Sequence, residues 1–246
     1  MFLDIHVHTE EYSSDSDFPL RKILSSAKEM GLSGVCIVDH DTMALYDQAE
    51  TLSEESGLVV IVGMEYTCRE GHLLVFGTPE LIKPQLPLGK AIKEIKSQGG
   101  VVIAAHPFRW DSLLMEEAMK EHVSELDGIE AFNGGSTTEE NINAYKFAKK
   151  YELPVFGGSD AHHEIRIAKY VTDFSAPVRN ESDFIRLVNK ARVAKNGLES
   201  IGAAARKGTC FVSAYSHERQ LYERMTPPLA RSIREVLGTP RNRFSI

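Results

Sequence analysis

Phe2-Leu3-Asp4-Ile5-His6-Val7 decides the fold class once it is joined to the two stretches that follow it. The run is mostly apolar and reads as a strand, and it closes on His6-Val7-His8. Residues 20–30 then place Leu20, Ile23, Leu24, Ala27 and Met30 at helical spacing. Gly31 supplies the left-handed residue that ends such a helix. Residues 34–38 return to a short β-branched run. Strand, helix and strand in that order predict parallel pairing through a helical crossover, the unit of an α/β fold.

The alternation continues outward. Residues 44–55, 88–97, 139–151 and 182–191 read as helices. Residues 58–62, 73–76, 101–105, 129–132, 155–156 and 170–172 read as strands. About seven such units favour a closed or nearly closed barrel over a short open sheet, although periodicity alone does not choose between them.

A chain of 246 residues can hold one large α/β domain or two small ones. Its 42% hydrophobic and 26% charged residues are those of a folded chain, not a disordered one. No apolar run approaches the roughly 20 residues of a membrane span, and the N-terminus lacks the features of a secretory signal. A cytoplasmic protein without membrane association is expected. Cys36, Cys68 and Cys210 are far apart and lack CxxC spacing, so they read as reduced, buried side chains.

The net charge of −7 argues against broad binding of long nucleic acid. Residues 193–246 hold nine Lys/Arg against four Asp/Glu, leaving nineteen against thirty-one in residues 1–192. That shift predicts a boundary: a main domain over 1–192 and a basic tail over 193–246, to which the sequence assigns no role.

Most of the nine histidines fall just after predicted strands. His6 and His8 close the first, while His40, His106 and His162 follow later ones. Glu65 and Asp160 join the same edge, where parallel barrels assemble their sites. Alternate strand residues face one way, so His6 and His8 can approach one ion, and Asp160 and His162 repeat the spacing. Imidazole mixed with carboxylate suits zinc, manganese or iron rather than calcium. Asp39 and Asp41 flank His40 and could orient imidazoles, although a turn explains Asp41 equally well. Arg109 has a guanidinium fork suited to phosphate oxygens, and a surface salt bridge accounts for it as readily. Asn133 either lines the site or makes a turn, and Gly157-Gly158 reads as a sharp exit that brings Asp160 inward. His122 and His217 read as ordinary surface or hydrogen-bonded histidines, and His163 as facing away.

Asp4-Ile5-His6-Val7-His8-Thr9, Val38-Asp39-His40-Asp41-Thr42, Gly63-Met64-Glu65, Ala105-His106-Pro107 and Gly158-Ser159-Asp160-Ala161-His162 resemble, in this order, the motifs of the PHP (polymerase and histidinol phosphatase) superfamily. The resemblance covers about residues 1–192 and is closest to the small stand-alone phosphoesterases. It implies a distorted (β/α)7 TIM-like barrel with two or three divalent ions of manganese, zinc or iron. The ligands it implies are His6, His8, Asp15, His40, Glu65, His72, His106, Asp160 and His162. Asp15 stands in a longer form of the first loop, where the usual aspartate position is Ser13, and Asp17 is the fallback.

The implied activity is hydrolysis of phosphate monoesters of nucleotides or other small metabolites by metal-activated water. Glu65, Arg109 and His162 are the residues expected to take part. A 3′–5′ exonuclease and a histidinol phosphatase are the enzymatic alternatives, and a non-catalytic binding scaffold is the other. Divalent ions would make the pocket of an acidic chain positive enough for an anionic substrate.

Overall fold

The structure is a computed structural model and describes residues 1–78, 82–174, 176–193 and 211–213. Strand β1 (Phe2–Val7) pairs in parallel with β2 (Gly34–Ile37), and α1 (Leu20–Glu29) makes the crossover. Leu20, Ile23 and Ala27 are the buried stripe of α1, packed with Val35 and Ile37 of β2. Helix α2 (Ala49–Ser56) ends on left-handed Gly57 and delivers β3 (Val59–Val62), which pairs in parallel with β2. A Cβ on Gly34 would lie 2.3 Å from the Val59 carbonyl oxygen, so this pairing needs glycine.

Past Gly63 the direction changes. Strands β4 (Met64–Thr67) and β5 (His72–Phe76) form an antiparallel hairpin, and β5 runs antiparallel to β6 (Val101–Ala105) after α3 (Leu88–Ser97). Parallel pairing then resumes. Helix α4 (Met115–His122) leads to β7 (Gly128–Asn133), and α5 (Thr138–Lys150), opened by a Thr137–Glu140 capping box, leads to β8 (Val155–Gly158). Strand β9 (Val171–Asp173) lies antiparallel to β1. After α6 (Glu181–Val193), β10 (Phe211–Ser213) pairs with β9.

The class is mixed α/β, with two five-stranded sheets ordered β10-β9-β1-β2-β3 and β4-β5-β6-β7-β8. Single parallel bridges join them, Val7 with Ala161 and His40 with Glu65. Among the described residues the strands do not form one closed barrel. The expectation of parallel units fails where residues 59–76 supply three strands with no helix between them: β4 continues the direction of β3, bridged in parallel to His40, and β5 must reverse.

Side chains alternate between layers. Leu73 and Val75 face the helices outside, packing with Ile92 and Ile95 of α3. Leu74 and Phe76 face inward, sharing a core with Leu3, Ile5, Cys36, Ile61, Ile103 and Phe156. Phe174, Phe184, Leu187 and Val188 close one end of this inner core. No described helix is long and apolar enough to cross a membrane. Most of the tail expected over 193–246, including Cys210 and His217, lies outside the described residues.

Candidate metal centre

The open end of the inner core gathers the polar groups. His6 comes from β1 and His8 directly follows it, Glu65 comes from β4, His72 from the start of β5, and His106 directly follows β6. Asp160 and His162 follow β8, and Ala161 between them is bridged to Val7. Residues His106 and Asp160 take positive φ, 28° and 52°, a strained conformation of the kind that recurs at functional sites. Thus the sharp exit expected of Gly157-Gly158 is made at Asp160, while the glycines stay in β8. A Cβ on Gly158 would meet the Cβ of His6 at 2.5 Å, so the glycine leaves room behind that imidazole.

The tautomers follow from the partners. His6 Nδ1 is 2.9 Å from Glu130 Oε1, and a carboxylate can only accept, so Nδ1 carries the proton. His8 Nδ1 is 3.2 Å from Ser13 Oγ, whose own hydrogen goes to Asp39 Oδ1 at 2.7 Å. The Ser13 oxygen therefore accepts from His8. Asp39 is fixed in turn by the backbone N–H and hydroxyl of Thr9. In the neutral form of each ring, the form that binds a metal, Nε2 is then the lone-pair nitrogen, and the two lie 3.0 Å apart.

Two carboxylate oxygens meet them. Glu65 Oε2 lies 3.2 Å from His6 Nε2 and 3.1 Å from His8 Nε2, and Asp160 Oδ1 lies 3.4 and 3.5 Å from the same atoms. An ion held tetrahedrally at ~2.0–2.1 Å has ligand atoms about 3.3 Å apart. These separations bracket that value. Asp160 Oδ1 is buried and has no hydrogen-bond donor. Two imidazole nitrogens and two carboxylate oxygens converging on one buried point fit a cation.

Two neighbouring clusters share members with the first. The other oxygen of Glu65 is 2.7 Å from His106 Nε2 and 2.9 Å from His72 Nδ1. At the solvent rim, Asp15 Oδ2 is 3.2 Å from both His40 Nε2 and His162 Nε2, whose rings stack with His8. All nine residues expected as ligands are therefore in one contiguous cluster, with Glu65 at its centre. Asp17, the fallback, pairs instead with His163 at the surface.

Burial alone would raise the Glu65 carboxyl, but His6 and His106 outweigh it and hold the group well below the usual carboxylate range. Burial likewise opposes protonation of His6, and Glu130, Asp160 and Glu65 override it. Burial pushes Asp4 up to about 6, although it accepts N–H groups from Ser159, Ala168 and His6 and so anchors the loop carrying Asp160.

The chief residue that the sequence reading missed is Glu130. It is fully buried in β7 and accepts from His6, Asn133 Nδ2 and the His106 backbone N–H. A carboxylate inside Gly128-Ile129-Glu130-Ala131-Phe132 was the available signal. Asn133 meets both expectations, donating to Glu130 and shaping the turn to Gly135 and Ser136. Arg109 makes salt bridges, its Nη1 bonding Asp160 Oδ2 at 2.8 Å and its Nε bonding Asp111.

Similarity to known proteins agrees with this arrangement. A family model described as PHP-associated matches residues 138–193, which include Asp160 and His162. An uncharacterized protein of Methanocaldococcus jannaschii is 33% identical over 143 residues, covering 54% of this chain and 82% of the relative. The chain belongs to the PHP superfamily. A further relative that spans more of this PHP chain, a "Probable phosphatase" of Caldicellulosiruptor saccharolyticus, is 24% identical and covers 78% of this chain and 93% of its own. Two solved structures share the fold. One, assigned as a metal-dependent phosphoesterase of Bifidobacterium adolescentis, has TM-score 0.56, 24% identity and coverage of 66% and 88%. The other, a lesion-specific endonuclease of Pyrococcus furiosus, has TM-score 0.57, 18% identity and coverage of 77% and 56%.

The histidines outside the cluster are accounted for where described. His122 of α4 pairs with Glu125, and Cys36 and Cys68 are free and buried.

Proposed function

We propose that this PHP-superfamily protein is a metal-dependent hydrolase of phosphate monoesters, with nucleotides and other small phosphorylated metabolites as its substrate class. The observation that carries the proposal is the buried convergence of His6 Nε2, His8 Nε2, Glu65 Oε2 and Asp160 Oδ1. His72 and His106, with the second Glu65 oxygen, would hold an adjacent ion. Asp15, His40 and His162 would serve an outer position. Divalent manganese, zinc or iron, when bound, supplies a strong nucleophile from water at neutral pH and positive charge beside the phosphoryl group.

The chain's own residues have separable roles in this reading. Glu130 and the Ser13–Asp39 pair fix the tautomers of His6 and His8, so no side-chain reorganisation is needed when an ion arrives. Glu65 couples the inner positions through its two oxygens. Arg109 holds Asp160 with Nη1 and Asp111 with Nε, leaving Nη2 as the nitrogen that would offset charge on phosphoryl oxygens. His162 stands at the partly open rim, where a leaving group would depart.

The test is metal analysis of the purified chain followed by phosphate release from nucleoside bisphosphates, monophosphates, histidinol phosphate and short single strands. Two or three equivalents of divalent ion, about the number such sites use, and release from small monoesters are expected. No bound ion and no release with added manganese would overturn the proposal. Mononucleotide release from single strands without monoester hydrolysis would replace it with an exonuclease.

A further inference from the structure

The large hydrophobic side chains that stay exposed among the described residues are Tyr12, Trp110, Leu113, Leu114 and Ile165. They fall in three loops. Tyr12 lies in the loop after β1, the next three between β6 and α4, and Ile165 after β8. These are the loops that also carry Asp15, Arg109 and His162. Exposed apolar side chains therefore share their loops with residues of the metal cluster, and exposed apolar surface marks contact sites.

Trp110 is held so that only its indole is free. Its backbone N–H donates to Glu140 Oε1 at 3.2 Å, and Glu140 is itself fixed by the capping box with Thr137. Turns tie the loop on both sides, with Arg109 N–H donating to the His106 carbonyl and Ser112 N–H to that of Arg109. The neighbouring Arg109 is pinned by Asp160 and Asp111. On this anchored backbone the tryptophan remains 77% exposed.

We propose that Trp110 is a specificity-determining residue, a stacking platform for the base of a nucleotide whose phosphate ester enters the metal cluster. The inference rests on the phosphoesterase reading and narrows its substrate class. One residue separates a guanidinium suited to phosphate from an indole suited to a flat aromatic ring, so the recognised molecule carries an anion and a ring close together. The strongly acidic balance of residues 1–192 disfavours a long polyanion, which selects a single nucleotide. Indole faces accept any base by stacking.

The sequence contains one tryptophan, so intrinsic fluorescence of the full chain reports on this residue directly. Stopped-flow titration of metal-loaded protein with an adenosine bisphosphate should quench it saturably, and glycerol phosphate should not. In turnover, Trp110→Ala should lower the preference for the nucleotide over glycerol phosphate by about 10-fold, through KM rather than kcat, and Trp110→Phe should restore most of it. An unchanged preference, or absence of quenching while the nucleotide is hydrolysed, overturns the proposal. Ligand-free, concentration-dependent change in fluorescence with dimers in sedimentation also overturns it, by assigning the rim to a second copy. If no ester is hydrolysed, the phosphoesterase reading fails by itself, and nucleotide quenching still decides whether Trp110 stacks.

Discussion

Along the β5–β6 ladder, Phe76 pairs with Val101 at one end and His72 with Ala105 at the other. Toward the first end the inner core receives Phe174 and α6, with the Phe184 ring 4.8 Å from that of Phe76. The second end meets Glu65, His106, Glu130 and Asp160, all buried. The same strands thus support opposite chemistry. The aromatic end gains from removing apolar surface from water, whereas the polar end carries buried charge and positive φ that each cost stability. Folding free energy is concentrated where no chemistry occurs, and the functional end is tolerable because the other end secures the fold.

That contrast can be broken from either side. The largest effect is expected from His8→Ala, which should reduce phosphate release by well over 100-fold, since even residues behind a ligand are worth about 10–100-fold. Far-UV circular dichroism should remain near that of the parent chain; unchanged turnover would move the site elsewhere. Phe184→Ala should do the reverse, costing about 3–5 kcal/mol in denaturant unfolding while leaving kcat of the folded fraction intact. A loss of kcat without a loss of stability would show that the two ends are coupled.

Chelation sharpens the comparison. Ions that bind the folded state alone stabilise it by about 2.7 kcal/mol at a free concentration 100 times Kd, so stripping should lower Tm in the parent chain and hardly at all in His8→Ala. Equal shifts in both would mean that the ions stabilise through another site. The smallest effect is expected from Glu130→Gln, which keeps the shape but loses the carboxylate behind His6. Metal affinity should fall about 10–100-fold, as calorimetric titration would read, and unaltered affinity would leave Glu130 a purely structural acceptor.

What the sequence revealed, and what it hid, follows the same division. Strand β1, helix α1 and the positions of His6, His8, His40, Glu65 and His106 were legible because they depend on local periodicity and on residues that end strands. The reversal at β5 was not. It depends on which edge strand accepts the hairpin, a non-local choice that apolar runs do not encode. The departure from a closed barrel has the same origin, because the two sheets meet through single bridges, Val7 with Ala161 and His40 with Glu65. Glu130 escaped because a carboxylate inside a strand becomes meaningful only when His6 and the His106 amide arrive from other strands. The Ser13 hydroxyl escaped because its role depends on Asp39, contributed after β2.

Those single bridges have a mechanical consequence. His6 lies in one sheet and His8 just beyond it, Glu65 in the other and Asp160 just beyond that, so the four-residue set straddles both seams. A cation seated there would rivet the two halves of the molecule where their hydrogen-bond ladder is thinnest. Opening of the seam would then require release of the ion. The amides that cross it, His8 to the Ala161 carbonyl and Asp41 to that of Glu65, would exchange with solvent deuterium at a rate set by metal dissociation.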